Sequence, residues 1–412
     1  LQARSGAYLD RARGARAHGE APGPWIESAE KDASEAVACS EEVETALHDR
    51  ALLQWTLAEW EVDTGADPSP RLSRALEDLD RALPQGSDTM TNRALRGLVY
   101  QSMGDREAST GRDPRPTYRK AQEDFDAVLA WRSDVYTTLR NRGIVWLHQG
   151  NWEAAREIDP ATSFERALAD LSRSIELNSD GEEARNALAN LWLARGEWEG
   201  NHDVDPRPAL DQAIREQEEI LRRHMGTART RNSLGVTYLR RGEAETLRNG
   251  DGTPYLEKGI EALDGVLAVS PNLRAAQLNR AAAHQILAMA RLAKGEDPTE
   301  SYRKAIADYD EILDGRHEDG KFYFNRAECH TSLARWQSGR GRQAEARDSV
   351  QRALSDYGEA IALNPDYWQA LDQRGVTYEA IGDLERAIED YVKALRIRPG
   401  AGQVVEGRLA VT

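Results

Sequence analysis

A fixed period of 46 residues constrains this chain more than any other feature. Asp-Pro pairs fall at Asp67-Pro68, Asp113-Pro114, Asp159-Pro160, Asp205-Pro206 and Asp297-Pro298, and Asp251-Gly252 fills the remaining slot. The same ruler places a small residue at Ala51, Gly97, Gly143, Ala189, Gly235, Ala281 and Ala327. Three residues on there is mostly a ring: Tyr100, Trp146, Trp192, Tyr238, His284 or His330. A second small residue follows 24 positions after the first, at Ala75, Ala121, Ala167, Ala213, Gly259 and Ala305. Four beyond it stands Leu79, Phe125, Leu171, Leu263 or Tyr309, with Gln217 as the exception. Residues three and four apart share a helix face, so small-to-large pairing at this spacing marks two helices in contact. Each unit therefore predicts a helical hairpin. The Asp-Pro pair marks where the second helix starts, because Asp caps exposed N–H groups and Pro tolerates the first helical position.

The last unit is shorter. Residues 368–399 carry Gly375, Tyr378, Gly382, Ala387, Tyr391, Ala394 and Pro399, a pattern that closely resembles the tetratricopeptide repeat. The longer units resemble the same motif with about 12 residues added between the paired helices. The resemblance covers residues 1–399 and implies an all-α solenoid of about nine helical hairpins wound as a right-handed superhelix. Its parts are a degenerate first repeat at 1–44, where Ser5, Tyr8 and Ala29 fit the ruler poorly, and six expanded repeats at 45–320. A seventh expanded repeat with a longer insertion spans 321–366, a standard-length repeat 367–399, and a tail 400–412.

The repeats serve as a small family within one chain. Immediately before the small slot stand Arg50, Arg96, Arg142, Arg280, Arg326 and Arg374, and those six units carry Asp78, Asp124, Asp170, Asp308, Asp356 and Asp390 in the second helix. Two units have Leu188 and Leu234 instead, with Glu216 and Ala262 in the acid slot. Arg appears only with Asp, which predicts a partly buried bidentate bridge inside each hairpin. Trp60, Trp152, Trp198 and Trp336 share one slot nine residues past the small residue, which predicts an extended first helix packed there against a neighbour. An aromatic cage for a cation is the less favoured reading.

In tetratricopeptide arrays the first-helix face lines a concave groove, so the resemblance implies that this face binds a polypeptide. On a helical wheel it holds Arg140, Ile144 and Leu147, then Asn186, Asn190 and Leu193, then Asn232, Val236 and Leu239. Flanking slots add Asn141, His148, Arg229, Arg240, Asn279 and Asn325. An apolar stripe edged by amides suits an extended peptide, whose backbone the amides can bond. The mid-array cations point to an acidic ligand or a free carboxylate.

Composition narrows the function classes. A formal charge of −16 disfavours broad nucleic-acid binding, which needs a basic surface. No long apolar run suggests a membrane span. Two distant cysteines, Cys39 and Cys329, give no disulfide or zinc pattern and point to the cytoplasm. Gly315–Lys321 mimics a phosphate loop, but Phe322 stands where Ser or Thr should hold magnesium. His202, Asp203 and Asp205 read as loop caps rather than metal ligands. No cofactor, metal or catalytic constellation is expected, and the reading is a non-enzymatic interaction scaffold of unspecified oligomeric state. The alternative is a sensor or regulatory segment of a larger signalling enzyme, such as a bacterial kinase or STAND-type ATPase, motivated by Leu1 falling inside a repeat.

Overall fold

The computed structural model describes residues 1–17, 22–40, 42–83, 89–223, 226–314 and 319–399, and the tail from 400 to 412 lies outside the described residues. Among the described residues there are eighteen helices and no strand. The chain divides into two compact units, residues 1–198 and 199–412.

The first unit runs through four contacting helix pairs: α1 (Gln2–Ala17) with α2 (Gly23–Cys39), α3 (Val43–Thr64) with α4 (Ser69–Ala82), α5 (Thr89–Ser109) with α6 (Arg115–Trp131), and α7 (Tyr136–Ala154) with α8 (Ala161–Leu177). It ends within α9 (Glu182–Asn201). The second unit opens with α10 (Arg207–Arg222) and continues with α11 (Ala228–Leu247) against α12 (Thr253–Val269), then α13 (Arg274–Ala293) against α14 (Thr299–Leu313). It closes with α15 (Gly320–Gly339) against α16 (Gln343–Leu363) and α17 (Trp368–Ala380) against α18 (Leu384–Ile397).

Within each unit, a hairpin closes its core with the first helix of the one that follows it. Ala51, Ala58, Leu72, Ala75 and Leu79 of α3 and α4 pack with Leu95 and Val99 of α5. In the second unit Ala281, Ala288, Tyr302, Ala305, Tyr309 and Ile312 pack with Cys329 and Leu333 of α15. The small slots are small because the facing residue fills them: a Cβ added to Gly97 would lie 2.6 Å from the Phe125 ring. A hairpin that buries its apolar face only against neighbours is the physical unit of a repeat array.

The added residues are helix rather than loop. A left-handed residue ends each long first helix, on the same 46-residue ruler: Gly65, Gly111, Glu157, Asp203, Asn249, Gly295 and Gly341, with φ between 57° and 81°. It comes fourteen positions after the small slot, as from Ala51 to Gly65, but only seven in the last hairpin, from Gly375 to Gly382. The first helix has thus gained about two turns. A further five residues enter before the second small slot, which lies ten positions after Gly65 but five after Gly382. The longer insertion expected in residues 321–366 is likewise helical, absorbed into the 21 residues of α16.

The Asp-Pro signal works as read. The carboxylates of Asp113, Asp159, Asp205, Asp251 and Asp297 each accept the N–H two residues on, at 2.9–3.1 Å, and Asp67 accepts that of Ser69 at 3.3 Å. Asp205, bonded by Arg207, and Asp251, bonded by Lys294, are held down to about 2. This accounts for Asp205 as a cap, and Asp203 is the left-handed residue of its turn.

All six Arg–Asp bridges form, each with two nitrogens on one carboxylate: Arg50–Asp78, Arg96–Asp124, Arg142–Asp170, Arg280–Asp308, Arg326–Asp356 and Arg374–Asp390. The degenerate first hairpin has one as well, between Arg4 and Asp32, with Nη2 at 2.6 Å from Oδ1. Four of the arginines also reach back to an aspartate of the preceding hairpin: Arg96 to Asp80, Arg142 to Asp126, Arg280 to Asp264 and Arg326 to Asp310, at 2.5–2.7 Å. One side chain therefore ties its own hairpin together and fastens it to the one before.

Candidate binding surfaces

First helices of successive hairpins touch within each unit, α1 to α3 to α5 to α7 in the first and α11 to α13 in the second. They form a side-by-side layer whose polar side chains bond across the seams. In the first unit Arg140 of α7 pairs with Glu183 of α9, and its Nε and Nη2 donate to Asn141 Oδ1 at 3.1 and 3.0 Å. His148 Nδ1 lies 2.7 Å from Asp105 Oδ1 of α5, which also accepts the Tyr118 hydroxyl at 2.7 Å. Burial works against a charged His148, but the bond to Asp105 and its charge outweigh this and raise the imidazole above its ordinary value. In the second unit Asn279 Nδ2 donates to Asn232 Oδ1 at 3.1 Å, and Arg240 pairs with Glu243 at 3.0 Å.

Leu147 and Leu239 lie within the packing between helices. They are 3% and 6% exposed, packed among Phe164, Leu171 and Leu188 in one case and Leu256, Leu263 and Leu287 in the other. Asn141, at 9%, is similarly enclosed. None of the three offers a side chain to a ligand, because the neighbouring helices already cover them. Ile144, Asn186, Leu193, Val236 and Asn325 are half-buried, while Asn190 and Arg229 are exposed. Asn190 and Arg229 have no hydrogen bond or ion pair among the described residues. Asn186 makes only a long bond, 3.4 Å, to Glu182 of its own helix.

Seam contacts that the sequence reading passed over lie in α3 and α5. His48 meets Asn92 at 2.8 Å, Asn92 donates to Glu44 at 3.1 Å, and Trp55 Nε1 donates to Ser102 at 3.0 Å. His48 and Trp55 occupy the same wheel positions as Arg140 and Leu147, so the signal was present in the ruler. On the other side of the first helices, a cation one position before the second small slot covers the ring of the ring slot. Lys120 lies over Tyr100, Arg166 over Trp146, Lys258 over Tyr238 and Arg386 over Tyr378, at 4.5–5.6 Å. The shared tryptophan slot packs as expected for three members: Trp60 against the Ala29 and Ala33 cluster, Trp198 beside that of Phe164 and Leu191, and Trp152 at 8% exposure under Arg115 and Arg156.

Among the described residues no group of three or more His, Cys, Asp or Glu side chains could hold a metal ion. Residues 315–318 of the phosphate-loop mimic lie outside the described residues, and Asp319 in the rest of it caps the Lys321 N–H at 3.0 Å. No described helix is long and apolar enough to cross a membrane.

Stacked hairpins on a fixed period, each buried against the next, define a helical-repeat protein. The family model of the tetratricopeptide repeat matches residues 368–401, the hairpin of α17 and α18. The earlier hairpins repeat the Arg–Asp bridge and small-to-large packing of that hairpin. No curated protein matches it. Solved structures similar to it include a tetratricopeptide repeat protein from Parabacteroides merdae, 14% identical with a TM-score of 0.41, covering 80% of this chain and 98% of that one. Yeast Tom70 is 16% identical with a TM-score of 0.36, covering 86% and 70%. MamA from Desulfovibrio magneticus RS-1 is 13% identical with a TM-score of 0.34, covering 52% and 96%.

Proposed function

We propose that the chain is a non-enzymatic scaffold that holds a polypeptide segment on the exposed face of its first helices. The observation that carries this is the state of α9 and α11. Most polar groups of each unit's layer are spent on its seams, but in the first unit Asn190 is exposed and uncommitted one helical turn from the half-buried Leu193, and in the second unit Arg229 is exposed and uncommitted on the helix that carries the half-buried Val236. An amide that can bond a peptide backbone next to a partly open apolar side chain is the chemistry of extended-peptide recognition. Arg229 favours a ligand with an acidic side chain or a free carboxylate. Cys39 and Cys329 are both free thiols, which supports placement in a reducing cytoplasm.

The test is selection from a random dodecamer display library on the full chain, in parallel with an Asn190→Arg, Val236→Arg variant whose circular dichroism matches the parent. The parent is expected to enrich a consensus that the variant fails to enrich. If every consensus that the parent enriches is also enriched by the variant, these residues are not on the binding face.

A further inference from the structure

The two turns added to each first helix create surface that a standard-length hairpin lacks, and in one place that surface changes character. Eight residues past the small slot the chain carries Glu59, Asp105, Asn151, Glu197 and Glu243, then Met289 and Arg335. On α13 and α15 the row has turned from acidic to apolar and basic. Met289 and Leu292 are 56% and 40% exposed on α13. Beside them a pocket of about 300 Å³ is lined by Leu292, Ser332, Arg335, Trp336, Gly339 and Arg340. The Arg340 guanidinium lies 4.3 Å from the Trp336 ring centroid and forms one wall.

Charge sets the occupant. Nearby cations are spent: Arg291 meets Glu257 at 3.4 Å and Lys294 meets Asp251 at 2.5 Å. Arg335 and Arg340 are exposed and have no ion pair among the described residues. Two unpaired guanidinium groups at the rim of an apolar pocket, in a chain with a formal charge of −16, make a local attractor for carboxylates. The apolar floor supplies the anchor site that surface ion pairs alone lack.

We propose that the extended ends of α13 and α15 dock an acidic polypeptide segment through one bulky apolar side chain, seated between Leu292 and Trp336, with flanking carboxylates on Arg335 and Arg340. This surface lies outside the rows assigned to peptide binding above and stands or fails separately from them.

Gly339 provides a clean way to block it. A Cβ added there meets nothing within 4 Å, so Gly339→Leu projects into open space beside the pocket without disturbing the packing. Random dodecamers are selected on the full chain, on Gly339→Leu, on an Arg335→Glu, Arg340→Glu variant, and on the Asn190→Arg, Val236→Arg variant. The parent and the last variant are expected to enrich peptides with an aromatic or aliphatic residue flanked by Asp and Glu. A labelled peptide from that pool should lose at least tenfold in affinity on the first two variants and weaken with added salt. A pool without acidic residues, no enrichment at all, or equal binding to the charge-reversed variant overturns the proposal. Self-association of the parent in sedimentation, abolished by Gly339→Leu, would overturn it in favour of a second copy of the chain.

Discussion

Two adjacent hairpins in the second unit solve one packing problem in different ways. In α13/α14, Arg280 grips Asp308 with Nε and Nη2 and reaches back to Asp264 with Nη1 at 2.7 Å. In α11/α12, the same slot holds Leu234, 6% exposed and packed with Ile214 and Tyr238, and the acid slot holds Ala262. The tie to the preceding hairpin nevertheless persists, with a different donor. Glu218 of α10, one period before Asp264, accepts the Tyr238 hydroxyl. The internal bridge is therefore replaceable by an apolar pair, while the fastening between neighbours is retained. This agrees with the general finding that a buried ion pair can be exchanged for apolar residues at little cost, but not halved.

Halving it is the largest way to break the comparison. Arg280→Ala leaves Asp308, whose side chain is 5% exposed and whose carboxyl burial already pushes upward against the opposing pull of Arg280, without its partner. The expected loss is about 3–5 kcal/mol, seen as faster native-state hydrogen exchange in α13 and α14 while α17 and α18 stay protected. Copying the other hairpin with Arg280→Leu and Asp308→Ala together should recover all but about 1 kcal/mol. A double variant as unstable as the two single changes summed would show that Arg280 and Asp308 do not act as a unit.

The bridge was legible because Arg and Asp vary together across repeats, and the ruler made the slots comparable. Arg4–Asp32 escaped because the markers around it, Ser5 and Tyr8, fit the ruler poorly, although the pair itself holds the same 28-residue separation as Arg50–Asp78. The aspartates reached from the next hairpin, Asp80, Asp126, Asp264 and Asp310, were also on the ruler, two residues past the acid slot of the preceding hairpin. Pairing them needs the knowledge that consecutive hairpins stack. The binding face was read less well for the same reason. A helical wheel says which side Leu147 and Leu239 share with Ile144 and Val236, but not that the next hairpin already covers them. Arg140, His148 and Asn232 look like free recognition groups in one helix and are seam contacts once two helices are adjacent.

The ring slot sharpens the comparison through pH. Tyr238 has an acid to bond, but His284 is 7% exposed with its Nδ1 unpartnered. Burial, with Lys304 and Arg280 nearby, pushes its imidazole down to about 4. The folded form therefore keeps a neutral ring while the unfolded chain takes up a proton near 6.5. Stability from this site is complete above that value and is lost as pH falls from there toward 4, with a slope of at most roughly 1.4 kcal/mol per pH unit. His284→Tyr, which copies Tyr238, should flatten the acid limb of hydrogen exchange in α13. An unchanged limb in the variant would place the acid sensitivity elsewhere.

The smallest difference lies where the two first helices end. Both stop on a left-handed residue, Asn249 at φ 59° after α11 and Gly295 at φ 74° after α13. Asn adopts this conformation more readily than most side chains, yet glycine does so without a Cβ clash. Asn249→Gly should therefore stabilise the end of α11 by about 0.5 kcal/mol, the relief of the clash being partly offset by glycine's greater freedom in the unfolded chain. Gly295→Ala should cost about 1 kcal/mol at the corresponding end of α13. Neither change touches the bridge or the ring slot, so exchange rates should move only in the last turn of the altered helix and in the N-terminal turn that follows it. A loss of protection at Asn249→Gly would mean that the asparagine side chain, and not the backbone geometry alone, holds that turn.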